Sequence, residues 1–167
     1  MDEFKTILCP TDFSEHSNRA IEYGVRFAKE ADGTLLIAHI IHVASGDLIN
    51  EAGLAGEDRV VGLARHQSDV GRHAHVLKFD DAKRRIQSKL EEARDQLTGG
   101  YPKCAVVIDV GDPYERLLAI ATTRHVDLIV VATRGQTISQ HLIIGSVAEK
   151  LVRHAPCPVL VVRPGAA

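Results

Sequence analysis

Two glycines and a serine near the carboxyl end of the chain have types and spacing that suit phosphate binding. Gly135 opens a loop after an apolar stretch, and Gly145 and Ser146 close that loop where a helix is predicted to begin. Glycine lets backbone N–H groups approach a phosphate, and a helix N-terminus has unpaired N–H groups and a dipole that favours an anion. We therefore expect this loop to hold the phosphates of a nucleotide. A structural interpretation stays open, because Ser146 and Glu149 have the spacing of a capping box and Gly135 can simply permit a turn.

Asp12 is a second candidate, because it follows the first predicted strand and is preceded by Pro10. A carboxylate at this point can accept hydrogen bonds from a ribose, or hold a divalent cation that bridges phosphates. Asp12 can equally cap the turn or helix that follows it, since aspartate often bonds to backbone N–H groups two residues further along. The sequence leaves the two interpretations open.

Other phosphate-binding and hydrolytic motifs are absent from the sequence. It has no GxxxxGK[ST], no GxGxxG after a strand and no GxSxG. Ser14 and His16 lie on one helical turn, too close in sequence to face each other as nucleophile and base. We therefore expect no catalytic residues and, at most, a weak ATPase activity.

The cysteines and most histidines favour structural interpretations. Cys9, Cys104 and Cys157 lie in or beside predicted strands without a CxxC pair, which indicates buried thiols in a reducing compartment. Three histidines lie in a glycine-rich region with no cysteine nearby, so a metal site there is disfavoured. They are His66, His73 and His75.

Apolar runs without polar alternation predict strands that are covered on both faces, and apolar residues at helical spacing predict the helices between them. The predicted strands span residues 4–9, 34–41, 104–110, 127–133 and 158–163. The predicted helices span residues 15–31, 79–97, 113–125 and 146–154. Residues 43–77 contain five glycines and no sustained period, which favours a glycine-rich excursion: a lid, a contact surface or a solvated insertion.

Alternating strands and helices predict an α/β fold: an open doubly wound five-stranded parallel sheet of order 3-2-1-4-5, with helices on both faces. Residues 1–167 are expected to form a single domain. In this order the first and fourth strands are neighbours, and the winding direction changes between them. The loops that follow these two strands therefore diverge and form a crevice, which is where ligands bind in such sheets. Residues 10–14 and residues 133–146 would form its walls.

The charge balance excludes some partners. The chain has 20 basic and 22 acidic residues and a net charge of −2, which gives no field that would attract it to nucleic acid or acidic lipid. No apolar run is long enough to span a membrane. The amino end is acidic and leads into a strand without a signal-peptide pattern, so we expect a cytoplasmic protein.

These stretches together resemble the universal stress protein family over almost the whole chain. The resemblance is carried by residues 7–14, 111–113, 127–131 and 145–162. Members of that family that bind ATP have a glycine, two residues, a second glycine, nine residues, and a third glycine followed by serine or threonine. The spacing is kept here through Gly135, Gly145 and Ser146, with Ala132 in place of the first glycine.

The resemblance implies a role for each matching residue. Asp12 and the backbone of Ala132 would meet the ribose. The adenine would lie near Pro10, Thr11 and Ile40, and the phosphates would be held by Gly135, Gly145, Ser146 and Val147. The ligand would be ATP, or AMP or ADP, with Mg²⁺ bound through the phosphates and Asp12.

The resemblance also implies a stress-response or regulatory module that hydrolyses ATP slowly or not at all. It further implies a homodimer joined through the edge strand at residues 158–163, which would otherwise be an exposed apolar edge. A different hypothesis is a protein-interaction module in which Ala132 closes the crevice to nucleotides. An adenylating enzyme on a related fold is a third.

Overall fold

The computed structural model describes residues 4–42, 69–133 and 144–163. The strands are β1 (Thr6–Pro10), β2 (Thr34–Ile41), β3 (Cys104–Val110), β4 (Leu128–Ala132) and β5 (Val159–Val162). The helices are α1 (Glu15–Glu30), α2 (Asp69–Thr98), α3 (Pro113–Thr123) and α4 (Ser146–His154). Gly135 and most of the predicted excursion, residues 43–68, lie outside the described residues.

The five strands form one parallel sheet of order β3-β2-β1-β4-β5. This order confirms the prediction from the alternation of strands and helices. β1 lies in the centre, where Ile7 is paired with Leu35 of β2 and with Leu128 of β4. The carboxyl ends of β1 and β4 therefore lie side by side, at the point where the winding direction changes.

Helices cover both faces of the sheet, as predicted. Alternate strand residues point to opposite faces, so Ile7 and Leu8 belong to different hydrophobic clusters. The Ile7 cluster includes Ile21 of α1 and Leu90 of α2. The Leu8 cluster includes side chains of α3 and α4. Because both faces are buried, each strand is an almost continuous apolar run.

Asp127 fixes the start of β1 beside the start of β4. Its Oδ2 accepts hydrogen bonds from the backbone N–H groups of Lys5 (3.0 Å) and Thr6 (2.8 Å). This carboxylate thus holds the amino ends of β1 and β4 together. The carboxyl ends of the same two strands lie at the edge where the crevice is predicted.

Two helices begin with side-chain caps immediately after strands. Ser14 Oγ accepts a hydrogen bond from the N–H of Ser17 at the start of α1. Asp112 Oδ1 accepts one from the N–H of Glu115, and Pro113 occupies the first turn of α3. Because the caps follow the strands so closely, the connections from β1 to α1 and from β3 to α3 are short.

The boundary predicted for α2 was wrong. The helix begins at Asp69 rather than at residue 79, so the last nine residues of the predicted excursion, 69–77, are helical. The boundary was placed at residue 79 because residues 43–77 show no sustained apolar period in the sequence. A helix formed from residue 79 onwards can extend towards its N-terminus, because each added residue contributes one backbone hydrogen bond. Across the described ranges of the chain, no helix is both long and apolar enough to cross a membrane.

Candidate functional site

A crevice with a volume of about 430 Å³ opens between the carboxyl ends of β1 and β4. Its walls come from the end of β2, from the turn between β1 and α1, and from the N-termini of α3 and α4. A volume of this size is within the range of small-molecule sites. Its position at the change of winding direction is the one predicted from the topology.

The crevice lining includes every predicted site residue that the structure describes. These residues are Pro10, Thr11, Asp12, Ile40, Ala132, Gly145, Ser146 and Val147. Gly135 lies outside the described residues. Two turns that are separated by more than 120 residues in the sequence thus contribute to one opening.

Asp12 caps the turn between β1 and α1. Its Oδ1 accepts hydrogen bonds from the backbone N–H of Ser14 (3.1 Å) and from Ser14 Oγ (2.6 Å). The structural role that the sequence left open for Asp12 is therefore present. The same residue lines the crevice, so the turn that it caps also holds its carboxyl group at the opening.

Thr11 is fixed by hydrogen bonds on its backbone and on its side chain. Its N–H donates to Ala38 O (2.8 Å), and its Oγ1 accepts from the N–H of Phe13 (3.0 Å) and lies 3.0 Å from Ser17 Oγ. The Nδ1–H of His39 donates to Thr11 O at 2.8 Å. Burial lowers the pKa of His39, which favours a neutral imidazole. This wall of the crevice is therefore held in one conformation.

Ala132 has an ordinary strand geometry. It is the last residue of β4 and pairs with Val162 of β5. Among the described residues other than glycine, a positive φ occurs at Phe13, Asp32 and His125, and Ala132 is not one of them. Its side chain belongs to the buried cluster beneath α1. Alanine at this position therefore introduces no backbone strain, and the crevice beside it stays open.

The N-terminus of α4 has no side-chain cap. Gly145 is the N-cap residue, and its own N–H donates to Thr133 O (2.6 Å). The capping-box interpretation of Ser146 and Glu149 was wrong. Ser146 is the first helical residue, and the Glu149 carboxylate forms an ion pair with Arg153 (2.9 Å). An uncapped helix N-terminus that lines a crevice is a suitable place for an anion.

His42 and Lys150 are crevice residues that were not predicted from the sequence, whereas Thr133 lies in the range that was expected to form a wall. Thr133 Oγ1 and His42 Nδ1 are buried and have no hydrogen-bond partner within the described part of the chain. Lys150 also lines the crevice, with its Nζ 5.3 Å from the centre of the Tyr114 ring. A positional signal was available for His42, because this residue follows β2 directly. Nothing in the sequence indicated that Lys150 lines the crevice, because it resembles any charged residue on an exposed helix face.

The three cysteines are not part of this site. Burial raises the pKa of Cys104 to about 11 and also raises the pKa of Cys9 and Cys157. None of the three cysteines lines the crevice. In the described ranges, no group of three or more His, Cys, Asp or Glu side chains is arranged to hold a metal.

The fold and the crevice define a doubly wound α/β protein with a ligand-sized opening between β1 and β4. The model of the universal stress protein family matches residues 3–163. The chain therefore belongs to the universal stress protein family, as the resemblance implied.

Relatives and solved structures agree with this assignment. Universal stress protein MJ0577 of Methanocaldococcus jannaschii is 27% identical over 163 residues, which cover 96% of this chain and 95% of that one. A solved structure of MJ0577 has a TM-score of 0.75 at 23% identity and covers 99% of this chain and 100% of that one.

Two further structures with the same fold were solved with nucleotides. A universal stress protein in complex with cAMP has a TM-score of 0.55 at 20% identity, covering 97% of this chain and 98% of that one. The universal stress protein from Archaeoglobus fulgidus in complex with dAMP has a TM-score of 0.56 at 15% identity, covering 96% and 98%.

Proposed function

We propose that this protein binds ATP, or a related adenine nucleotide, in the crevice between β1 and β4 and acts as a stress-response or regulatory module. The observation that carries the proposal is the composition of the crevice. A cavity of about 430 Å³ is lined by the capped Asp12 turn and by the uncapped N-terminus of α4. An acceptor for ribose hydroxyls and a donor set for phosphates therefore lie at one opening.

The buried polar groups of the crevice and the nucleotide complexes of related folds support a nucleotide over an apolar ligand. The buried Thr133 hydroxyl and His42 Nδ1 lack partners among the described residues, and buried polar groups normally have one. A polar ligand can supply the missing hydrogen bonds. The adenine nucleotides in the cAMP and dAMP complexes support the choice of base, because they occupy proteins of the same fold.

Each residue would have a limited role. Asp12 and the Ala132 backbone would bind the ribose, while Pro10, Thr11 and Ile40 would enclose the adenine. The phosphates would lie against Gly135, Gly145, Ser146 and Val147. Mg²⁺ would be bound mainly by phosphate oxygens, with Asp12 as the protein ligand.

Hydrolysis is expected to be slow or absent. The sequence has no Walker lysine, and we assign no residue as a general base that would activate water. The nucleotide would then act as a bound signal rather than as a substrate. A cytoplasmic location remains a prediction from the sequence.

The binding site is tested by changing both walls at once. The Asp12→Ala and Gly145→Val double variant removes the ribose acceptor and places a branched side chain at the helix N-terminus. Gly145 has a φ of −70°, so valine adds bulk there without forcing a left-handed backbone. We expect calorimetry to show loss of ATP binding while circular dichroism stays unchanged. Asp95→Ala, which removes an exposed carboxylate from α2, is the matched control and should bind ATP normally. Unchanged ATP affinity in the double variant would remove this site.

The interaction-module hypothesis predicts a different result. If Ala132 prevents binding, the native chain should carry no nucleotide and Ala132→Gly should acquire ATP binding. Native mass spectrometry of freshly purified protein, with chromatography of acid-released small molecules, decides between the two hypotheses. We expect the native chain to carry or take up an adenine nucleotide.

We also propose a homodimer joined through β5. This strand lies at the edge of the sheet, and Val159, Leu160 and Val161 are only partly buried there. An unpaired apolar edge strand favours association with another strand. Sedimentation should give twice the chain mass of 18.2 kDa. A monomer mass at every protein concentration would contradict this proposal.

A further inference from the structure

Phe13 has an unusual backbone conformation at the edge of the crevice. Its φ is +63°, in the left-handed region that bulky residues rarely adopt. Such a conformation persists only where the surroundings hold it, and it often occurs near functional sites. Phe13 lies between Asp12, which lines the crevice, and Ser14, which caps α1.

Two side chains from other elements hold the Phe13 ring. The His39 ring from β2 lies 4.6 Å from it, centre to centre, and the Lys89 ammonium from α2 lies 4.5 Å from its centre. The first contact is a packed pair of rings, and the second has the geometry of a cation–π interaction. Lys89 therefore connects α2 to the turn between β1 and α1.

The position of Phe13 also affects the residues beside it. The Phe13 N–H donates to Thr11 Oγ1 (3.0 Å), and the Ser14 N–H donates to Asp12 Oδ1 (3.1 Å). If the Phe13 ring leaves its place, the left-handed residue can relax and both hydrogen bonds change. The Asp12 carboxyl would then lose the orientation that the turn gives it.

We propose that Lys89 is a positioning residue for the crevice, which acts through the Phe13 ring to orient Asp12 and so links α2 to ligand affinity. The consequence for ligand binding rests on the proposed function, whereas the positioning itself does not. A shift of α2 would then weaken binding through the Phe13 ring, although Lys89 itself does not line the crevice.

The positioning is measured first on ligand-free protein. Lys89→Met keeps the length of the side chain and removes its charge, and methionine is a good helix former. Lys83→Met, at an exposed position of the same helix, is the matched control. A cation–π contact at a partly exposed site corresponds to about a two- to fivefold change in an equilibrium constant. Exchange of the Phe13 and Ser14 amide hydrogens should accelerate by about this factor in Lys89→Met alone. Equal exchange rates in the two variants would overturn the proposal.

Binding then separates positioning from simple charge attraction. If Lys89 orients Asp12 towards a ribose, Lys89→Met should weaken ATP and uncharged adenosine by the same factor, about two- to fivefold. If its charge merely attracts phosphate, ATP binding falls while adenosine binding does not, and the proposal is wrong.

A double-mutant cycle with Asp12→Asn completes the test. An effect transmitted through Asp12 should vanish in the Asp12→Asn background, so additive losses would contradict the mechanism. If the native chain binds neither ATP nor adenosine, the proposed function fails, and the amide exchange result still decides whether Lys89 positions the turn.

Discussion

The Thr133 hydroxyl, which lacks a hydrogen-bond partner among the described residues, gives a prediction in which removal of a polar group stabilises the protein. Only 3% of Thr133 is exposed, and its Oγ1 has no hydrogen-bond partner within the described residues. Thr133→Val replaces the hydroxyl with a methyl group and keeps the branched shape. The backbone hydrogen bonds of residue 133, to Val162 O and from the N–H of Gly145, are unaffected by this change.

The expected magnitude follows from the cost of an unsatisfied group. A buried polar atom without a partner costs about 1–3 kcal/mol. We expect Thr133→Val to raise the free energy of unfolding of ligand-free protein by about 1 kcal/mol, at the low end of that range. For a chain of this length, such a gain raises the melting temperature by about 2–4 °C.

Thr11→Val is the matched control for this experiment. Thr11 is also a buried threonine of the crevice, but its hydroxyl accepts from the Phe13 N–H and contacts Ser17 Oγ. Its loss should lower the free energy of unfolding by about 1–2 kcal/mol. Both variants are compared by urea unfolding at one protein concentration, without nucleotide. Equal destabilisation by the two substitutions would refute the argument from hydrogen-bond satisfaction.

Three further predictions concern packing, pH and thiol reactivity. Gly24→Ala should destabilise the fold by about 1–3 kcal/mol in urea unfolding, because the added Cβ would clash with Cys9 Sγ. An unchanged midpoint would show that α1 can move away. Burial lowers the pKa of His39 in the folded protein below its ordinary value of 6.5. As the pH falls, the imidazole is therefore protonated in the unfolded chain before it is protonated in the folded one. The free energy of unfolding thus decreases as the pH falls through 6.5 towards the folded pKa. His39→Gln should flatten that loss between pH 7.5 and 5, and identical pH profiles would contradict the assignment. Because the pKa values of Cys9, Cys104 and Cys157 are raised, a thiol reagent at pH 8 should label the native protein slowly and the unfolded protein fast, and rapid native labelling of Cys9 would be inconsistent with its burial.

The candidate site could be predicted to a large extent because its residues follow strands. In a parallel sheet the carboxyl ends of neighbouring strands meet at one edge, so strand order alone brings Asp12 and Gly145 to one crevice. The sequence could not separate the roles of Asp12, because a capping carboxylate and a ligand-binding carboxylate are the same residue in the same turn. For Ser146 and Glu149 the sequence pattern was misleading. Their spacing is that of a capping box, but the N-cap residue of α4 is Gly145.

Ala132 shows what local sequence cannot decide. Alanine can replace glycine without backbone strain where φ is negative, but it is strained where φ is positive. A sequence motif gives the residue types and their spacing, but it does not give the φ angle. The pairing of Ala132 with Val162 shows strand geometry at this position. The Lys89 contact with Phe13 was not predictable either, because the two lie 76 positions apart in the sequence and Lys89 resembles an ordinary charged residue of a solvated helix face.

The sequence by itself determined the strands, the alternation with helices, the strand order and the family, because these follow from apolar periodicity and from motifs of neighbouring residues. The tertiary structure decided which buried polar atoms lack a partner among the described residues, which residue caps α4, where α2 begins and how Lys89 reaches the Asp12 turn. These features depend on distances between residues that are remote in the chain. Local propensity fixes the elements, whereas only their packing fixes the contacts between them.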